Sequence, residues 1–170
     1  MKQKNKIIFV TGGARSGKSS FAIELACKYT KKYFIATAEK TDPEFEKRIR
    51  THQKERGTDF ITIEEPIDLA SALIRANKAD CIVIDCLTVW LANLQYYNKD
   101  ITLARDEFIN EVKNINASCI IISNEVGMGI VPAEKNTREF RDAHGLLNQK
   151  IAKEAHEAYL LVSGIPVKIK

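Results

Sequence analysis

Residues 7–20 read IIFVTGGARSGKSS and decide how the fold begins. The apolar run at residues 7–10 predicts a strand, and residues 18–29 have the pattern of a helix. Between them lies the motif G-x-x-x-x-G-K-S, whose glycines let the backbone curl until several N–H groups point into one concavity. The helix that follows adds the positive end of its dipole. This combination of strand, loop and helix predicts a binding site for the phosphate groups of a nucleotide.

The loop supplies the first candidate nucleotide contacts, which are Gly12, Gly13, Ala14, Arg15, Ser16, Gly17, Lys18 and Ser19. Lys18 is also a candidate catalytic residue because its ammonium group can reach the terminal phosphates, and the Ser19 hydroxyl can ligate Mg²⁺. A second candidate magnesium ligand, Asp85, directly follows the apolar run at residues 81–84. An aspartate in this position commonly holds the metal ion beside such a loop. The alternative is that Asp85 caps the next helix.

Composition is typical of an ordinary globular protein. A chain of 170 residues suits one domain, here residues 1–170, and its net charge is only +4. Much of that charge lies on lysines near the two ends, so we expect no nucleic-acid partner. No stretch approaches the ~20 apolar residues that span a bilayer, and no signal-peptide pattern is present. The four cysteines form no C-x-x-C pair, and Cys81 and Cys119 lie in apolar runs, which favours buried thiols in a reducing cytoplasm.

Predicted strands and helices alternate along the chain. Strands are expected at residues 6–10, 33–36, 60–63, 81–85, 119–123, 159–162 and 167–169, and helices at 18–29, 43–56, 66–76, 89–94, 102–114 and 139–157. Near-continuous Val and Ile runs separated by helices predict a mostly parallel sheet with helices on both faces. The turn at residues 163–166 is too short for a crossover, so the last two strands should form an antiparallel edge hairpin. With the phosphate loop, this predicts an α/β fold of the RecA-like P-loop NTPase type.

In such sheets the ligand lies beyond the carboxyl ends of the strands, so residues at these ends are candidates for a site. Thr37 follows the second predicted strand and Glu64 the third, with the alternative that each simply starts a turn. Residues 124–129, Asn-Glu-Val-Gly-Met-Gly, follow the strand expected at 119–123. Their two glycines suggest a loop that approaches a ligand or moves over it, and the alternative is a plain flexible connection.

The helix expected at 43–56 carries a basic ridge of Arg48, His52 and Arg56. Like charges at this spacing repel one another and destabilise an isolated helix. A phosphate group bound along the ridge would instead be attracted by these positive charges. His52 extends the apolar row of the helix among cations, where the neutral imidazole is favoured. It is therefore either a nucleophile or general base, or a packed histidine. Of the other two histidines, we expect His144 in the core and His156 on the surface.

Blocks along nearly the whole chain resemble one enzyme family. They are GGARSGKS, a strand ending in IAT, RIRTHQKER, TIEE, VIDCLTVWLAN, SNEVGMGIVP, FRDAHGLLNQKIA and VSGIPVKIK, in the family's order from residue 7 to residue 170. The chain looks like the bifunctional adenosylcobinamide kinase/adenosylcobinamide-phosphate guanylyltransferase of cobalamin biosynthesis. The phosphate loop is common to many proteins, but the pattern R-I-x-x-H together with N-E-V-G-x-G-I-V-P is specific to this family.

The resemblance implies two reactions. ATP or GTP phosphorylates the aminopropanol hydroxyl of adenosylcobinamide, and GTP then transfers GMP to that phosphate through a guanylylated histidine, which is His52 here. It also implies a homotrimer, for which the pair Tyr96-Tyr97 is a weak surface hint. Beyond the phosphate loop, the nucleotide contacts that the resemblance implies are Ile35, Ala36, Thr37, Gln53, Lys54, Glu55, Arg56, Glu64 and Asp85.

Two other functions fit a phosphate loop. A kinase that only phosphorylates a small alcohol would use His52 structurally and would retain no label from GTP labelled at the α-phosphate. A nucleotide-driven switch or regulatory ATPase subunit would carry a partner-facing extension, for which 170 residues leave little room.

Overall fold

The computed structural model describes residues 5–39 and 59–170. The strands are β1 (Ile7–Gly12), β2 (Lys32–Ala36), β3 (Phe60–Glu64), β4 (Cys81–Asp85), β5 (Ser118–Asn124), β6 (Glu157–Val162) and β7 (Ile165–Lys168). The helices are α1 (Lys18–Ala26), α2 (Leu69–Arg75), α3 (Leu87–Tyr96), α4 (Ile101–Asn114) and α5 (Lys135–Glu154). The helix expected at residues 43–56 lies outside the described residues. That a single domain covers residues 1–170 stays a prediction.

The strands form one seven-stranded sheet in the order β3-β2-β4-β5-β1-β6-β7. All neighbouring pairs from β3 to β6 are parallel, and β7 runs antiparallel to β6. The prediction of a mostly parallel sheet with a C-terminal antiparallel edge hairpin is confirmed. Because β1 lies between β5 and β6, the phosphate loop that follows β1 has strands on both sides of it.

Successive residues of the strands face opposite sides of the sheet, and each side is covered by helices. Ile8 and Val10 pack with Ala22 of α1 on one face. Phe9 lies on the other face in a larger cluster built with helices α2 to α5. Trp90 of α3 is almost fully buried in that second cluster. This two-sided packing explains why the strands read as continuous apolar runs, and the prediction of helices on both faces is confirmed.

Two helix starts differ from the sequence prediction by three residues or more. Helix α2 begins at Leu69 and not at residue 66, because the Asp68 carboxylate accepts a hydrogen bond from the Ser71 N–H at 2.9 Å and caps the helix. Helix α5 begins four residues before the expected start at 139, since its polar first turn shows no apolar period. It ends at Glu154 and not at 157, because the His156 N–H donates to the Ile7 carbonyl and leads the chain into β6.

The C-terminal hairpin turns in two residues, not in the four that the sequence predicted. Ser163 and Gly164 have φ values of 53° and 84°, the positive values that tight two-residue hairpin turns require. Val162 pairs directly with Ile165, so Ile165 and Pro166 belong to β7. Proline is tolerated there because β7 is an edge strand.

The other predicted element bounds agree with the structure to within three residues. Among the helices of residues 5–39 and 59–170, none combines the length and the apolar character needed to cross a membrane.

Candidate active site

The phosphate loop is a tight turn between the end of β1 and the start of α1. Gly12 has a φ of 149° and Gly17 a φ of 93°, values that residues with a side chain rarely adopt. A Cβ atom on Gly12 would lie 2.5 Å from the Leu161 carbonyl oxygen. Helix α1 has no acidic residue in its first turn, so its positive N-terminal end is free to attract an anion. The loop therefore has the form of a phosphate cradle.

Lys18 is folded back over this loop and is largely buried. Its Nζ donates a hydrogen bond to the Gly13 carbonyl oxygen at 2.6 Å. Burial lowers the pKa of Lys18, although its interactions with Cys86 and Asp85 act in the opposite direction. A buried ammonium group bonded to a neutral carbonyl gains from a phosphate oxygen, which is a stronger, charged acceptor. Lys18 is thus positioned to bind a phosphate inside the loop.

Ser19 and Asp85 come together from two elements far apart in sequence. The Ser19 hydroxyl on α1 donates to the Asp85 Oδ2 atom at the end of β4, at 2.8 Å. Asp85 does not cap α3, whose N-cap is Cys86 with no side-chain hydrogen bond. This pair supplies one hydroxyl and one carboxylate oxygen, and Mg²⁺ prefers few protein ligands completed by phosphate and water oxygens. The residues present therefore fit a magnesium ion bound together with a nucleotide.

No second metal centre competes with this pair in the part of the chain that the structure describes. Residues 5–39 and 59–170 contain no group of three or more His, Cys, Asp and Glu side chains arranged to hold a metal ion. The four cysteines are all free thiols. Cys81 and Cys119 are fully buried, as the sequence predicted. Burial raises the pKa of each of these two thiols to about 12, so both stay protonated at neutral pH.

Thr37 is fully buried and holds the end of β2 against the end of β4. Its hydroxyl accepts from the Cys86 N–H at 2.8 Å and lies 2.9 Å from the Cys86 carbonyl oxygen, to which it donates. Its own carbonyl oxygen accepts from the Asn93 amide at 2.8 Å. These bonds position the backbone that carries Asp85. A direct contact of Thr37 with a nucleotide stays a prediction.

The other predicted nucleotide contacts lie in different environments. Ile35 is fully buried in the core, Ala36 is nearly so, and Glu64 lies exposed at the end of edge strand β3. Contacts of these residues with a nucleotide stay predictions, and the burial of Ile35 leaves its side chain a packing role. The remaining candidates lie outside the described residues, and they are His52, Gln53, Lys54, Glu55 and Arg56.

His144 is a buried core histidine, as predicted from its apolar helix stripe. Its Nε2 atom lies 3.0 Å from the Thr88 hydroxyl and 3.1 Å from the Ser123 hydroxyl. Burial lowers its pKa, which the Glu125 charge partly opposes, so the neutral ring is favoured. With its ring enclosed by hydroxyl partners, His144 has no open path to a substrate. His156 is exposed, also as predicted, and its Nδ1 accepts from the Ile7 N–H.

The segment after β5 is hydrogen-bonded to the phosphate loop and to itself through Glu125. The Glu125 N–H donates to the Gly12 carbonyl at 2.9 Å. The Glu125 carboxylate accepts from the backbone N–H groups of Gly127 and Met128, at 2.7 and 3.0 Å, and so folds the segment back on itself. The Thr88 hydroxyl accepts from the Asn124 N–H at 2.8 Å. Sequence reasoning did not identify Thr88. Its position just after the strand that ends in Asp85 is the only signal that the sequence offers for its role.

The turn of the C-terminal hairpin also contacts the phosphate loop, which no sequence motif indicated. The Gly164 N–H donates to the Ser16 carbonyl at 3.0 Å. A Cβ atom on Gly17 would lie 3.2 Å from the Gly164 Cα atom. The hairpin therefore supports the loop from the side of β6. The one available signal was the Ser-Gly pair between two short apolar runs.

A parallel sheet with a glycine loop after β1, a buried lysine in that loop and a Ser–Asp pair between α1 and β4 define a RecA-like P-loop NTPase. Solved structures support this class. The flagellar accessory protein FlaH from Methanocaldococcus jannaschii is similar with a TM-score of 0.54 at 14% identity, covering 97% of this chain and 78% of that one. A KaiC-like protein from Pyrococcus horikoshii OT3 is similar with a TM-score of 0.53 at 12% identity, covering 91% and 71%. At these identities the likeness shows the fold alone.

Within this class, the chain belongs to the cobinamide kinase/cobinamide phosphate guanyltransferase family, whose model matches residues 8–169. It is 38% identical to the bifunctional adenosylcobalamin biosynthesis protein CobU of Escherichia coli (strain K12), covering 96% of this chain and 99% of the relative. It is 36% identical to the bifunctional adenosylcobalamin biosynthesis protein CobP of Pseudomonas aeruginosa, covering 95% of each chain. The resemblance seen in the sequence blocks is confirmed.

Proposed function

We propose that this enzyme phosphorylates adenosylcobinamide and then transfers GMP from GTP to the product, giving adenosylcobinamide-GDP and pyrophosphate. The observation that carries the proposal is the geometry of the phosphate loop, where Lys18 and the Ser19–Asp85 pair converge within one site. Membership of the kinase/guanyltransferase family and the name "bifunctional" of its relatives support the pairing of two reactions.

In the kinase step the aminopropanol hydroxyl of adenosylcobinamide attacks the γ-phosphorus of ATP or GTP. An O–P bond forms, the bond from the γ-phosphorus to the bridging oxygen breaks, and the nucleoside diphosphate leaves while the hydroxyl gives up its proton to water. The Lys18 ammonium and the backbone N–H groups of the loop stabilise the charge on the phosphate oxygens. When Mg²⁺ is bound, it neutralises phosphate charge. Ser19 and Asp85 would hold it.

In the second step the His52 imidazole attacks the α-phosphorus of GTP. An N–P bond forms and pyrophosphate leaves with the electron pair of the broken P–O bond. A phosphate oxygen of adenosylcobinamide phosphate then attacks the same phosphorus, the N–P bond breaks, and the imidazole is released. Arg48 or Arg56, one helical turn before and after His52 in the predicted helix, would stabilise the negative charge. Covalent catalysis of this kind divides one displacement into two easier ones.

The same proposal includes a homotrimer in the cytoplasm. Tyr96 is 79% exposed and packs edge-to-face against Tyr97, which gives the surface an aromatic contact point. All four cysteines are free, which suits a reducing compartment. Sedimentation equilibrium measures the assembly directly, and a mass other than three chains contradicts the trimer.

The substitution His52→Asn tests the chemistry, with His156→Asn as the matched control on an exposed histidine. The purified variants are incubated with GTP labelled at the α-phosphate and, separately, assayed for adenosylcobinamide phosphorylation. We expect His52→Asn to lose the protein-bound label and the guanylyltransferase reaction, because an amide is no nucleophile toward phosphorus. The kinase step uses the substrate hydroxyl and should survive. The control should retain both activities.

The outcomes distinguish the candidate functions from one another. Label retained by His52→Asn places the nucleophile elsewhere, and loss of both activities in the folded variant shows that the reactions share this residue. A wild-type protein that phosphorylates adenosylcobinamide but never retains label is a kinase only. Hydrolysis of nucleotide without any effect of adenosylcobinamide would instead support a regulatory ATPase.

A further inference from the structure

We propose that the purine base of the phosphoryl donor binds in a cleft on the β6 side of the phosphate loop, between that loop, residues 125–129 and the end of β6. The cleft has a volume of about 480 Å³, which lies within the ~300–1,000 Å³ typical of small-molecule sites, and a purine nucleoside is a ligand of that class. This proposal rests on the proposed function, because it concerns the ATP or GTP of the kinase step. It gives the base of that nucleotide a place, which family membership alone does not.

The two ends of the phosphate loop set the direction in which the donor extends. At one end the Ser19 hydroxyl donates to the Asp85 carboxylate, which lies at the end of β4. At the other end the Gly164 N–H of the C-terminal hairpin donates to the Ser16 carbonyl. In P-loop proteins the serine and aspartate of such a pair lie at the β- and γ-phosphates. A donor with its terminal phosphates at Ser19 and Asp85 therefore extends along the loop toward Ser16, and its base reaches the cleft beside β6.

Two separate segments supply the apolar lining of the cleft. Val126 and Met128 come from the segment after β5, and Leu160 and Val162 come from β6. Met128 is 79% exposed and Val162 is 53% exposed, so apolar surface faces solvent right beside the polar phosphate loop. Apolar surface gathered at such a place suits a ligand, and a methionine thioether packs well against an aromatic ring. The lining therefore fits the apolar faces of a flat purine.

The polar part of the lining bears on which bases the cleft accepts. Among the described residues that line it, the polar side chains are those of Ser16, Glu125 and Ser163. The Glu125 carboxylate already accepts from the N–H groups of Gly127 and Met128, at 2.7 and 3.0 Å. The base is therefore held through its faces more than through hydrogen bonds to its edge, and contact with the face does not distinguish one base from another. We expect the cleft to accept both ATP and GTP.

The nucleotide contacts predicted at Thr37 and Glu64 lie on the opposite side of the loop from this cleft. Thr37 follows β2 and Glu64 ends β3, and both strands lie beyond β4 in the sheet. The kinase step takes place at the γ-phosphorus, whereas GMP transfer takes place at the α-phosphorus. The base of the GTP that donates GMP can therefore lie toward β2 and β3. We expect the two reactions to hold their nucleotides in opposite directions on one phosphate loop.

The test compares Met128→Asn and Val162→Asn, one from each apolar segment, with Leu103→Asn, which changes an exposed apolar residue on α4 outside the cleft. Equilibrium dialysis of the whole protein with Mg²⁺ measures Kd for ATP. Competition by inorganic tripolyphosphate, which has no base, measures the binding of phosphates alone. We expect each cleft variant to raise Kd for ATP about fivefold or more, because an amide replaces apolar contact with the base. Tripolyphosphate affinity should change less than about twofold, and Leu103→Asn should match wild type.

A second measurement follows the protein-bound label from GTP labelled at the α-phosphate. The GTP concentration that gives half of the maximal label should not rise in Met128→Asn or Val162→Asn. The reason is that the contacts predicted for the guanylyl donor lie on the other side of the loop.

Three results overturn the cleft assignment. An unchanged Kd for ATP in either cleft variant does so. An equal loss of ATP and tripolyphosphate binding also does so, because it would show damage to the phosphate loop and not loss of a base contact. A half-saturating GTP concentration for labelling that rises together with Kd for ATP overturns the opposite directions of the two nucleotides. The dialysis needs no corrinoid, so wild-type protein that binds ATP through the cleft but never phosphorylates adenosylcobinamide contradicts the proposed function alone.

Discussion

The two sides of the phosphate loop differ in the polarity of the residues that form them. Toward β4, the Ser19 hydroxyl bonds to the Asp85 carboxylate, and the buried Thr37 hydroxyl bonds to the Cys86 backbone. Toward β6, Val126 and Met128 expose apolar surface to solvent. Polar groups that must hold a charged ligand need fixed partners, whereas an apolar wall needs only the right shape. The comparison shows that one loop is bounded by hydrogen-bonded polar groups on one side and by exposed apolar surface on the other.

The largest effect is expected from Lys18→Ala, which removes the cation of the polar side. Both proposed reactions use the same triphosphate cradle, so kcat of each should fall by about 100- to 1,000-fold. Stopped assays of phosphorylation and of GMP transfer measure this, with the exposed Lys28→Ala as the control and circular dichroism as a check on folding. If one reaction continues at full rate, the two do not share a single site.

Asp85→Asn should have the next largest effect, because it keeps the shape of the polar side but removes its carboxylate charge. Asparagine can still accept the Ser19 hydrogen bond, so the fold should be unchanged. We expect kcat to fall by about 100-fold and the dependence of the rate on Mg²⁺ concentration to shift to higher concentrations. A titration of Mg²⁺ at constant nucleotide measures the shift. An unchanged Mg²⁺ dependence would remove Asp85 from the metal site.

Gly12→Ala tests whether the close approach of β6 constrains the phosphate loop. The new Cβ would lie 2.5 Å from the Leu161 backbone oxygen, at a φ of 149° that alanine rarely adopts. We expect a loss of about 1–3 kcal/mol in the free energy of unfolding, measured by urea denaturation. Gly145→Ala is the matched control, because no atom lies within 4 Å of its Cβ position on helix α5. The control should stabilise the protein by about 0.5–1 kcal/mol. Equal effects of both would show that β6 does not constrain the loop.

The smallest effect concerns His144, whose ring contacts the hydroxyl groups of Thr88 and Ser123. Burial lowers its pKa below the ordinary 6.5, so at mildly acidic pH the unfolded chain binds a proton that the folded chain does not. The stabilising contribution of the neutral His144 ring should therefore be complete above pH 6.5. The free energy of unfolding should decrease as the pH falls from 6.5 toward the lowered pKa of His144.

Urea denaturation at pH 7.5 and pH 5.5 measures this pH dependence. His144→Gln should lose part of the pH dependence that the wild-type protein shows. A wild-type protein that becomes more stable on acidification over this range would contradict a buried neutral His144.

The polar side was predictable from sequence, whereas on the apolar side only the loop at residues 124–129 was singled out. The glycine loop and Asp85 form local patterns, each recognisable because a phosphate or metal site requires those residue types at those spacings. Met128 and Val162 follow no such pattern, since exposed apolar residues become a cleft only when distant segments meet. The same limit explains the error at the C-terminal end of α5, where the contact between His156 and Ile7 terminates the helix.

The sequence by itself determined the α/β class, the phosphate loop with its lysine and serine, the parallel strands and the family. These follow from local backbone preference and from the alternation of apolar runs with helices, both of which act over a few residues. Only the tertiary structure decided that β6 and its hairpin turn lie against the phosphate loop, that Ser19 meets Asp85, and that His144 is enclosed by Thr88 and Ser123. Such contacts join residues far apart in the chain, and their free energy arises when the core packs and the buried polar groups find partners.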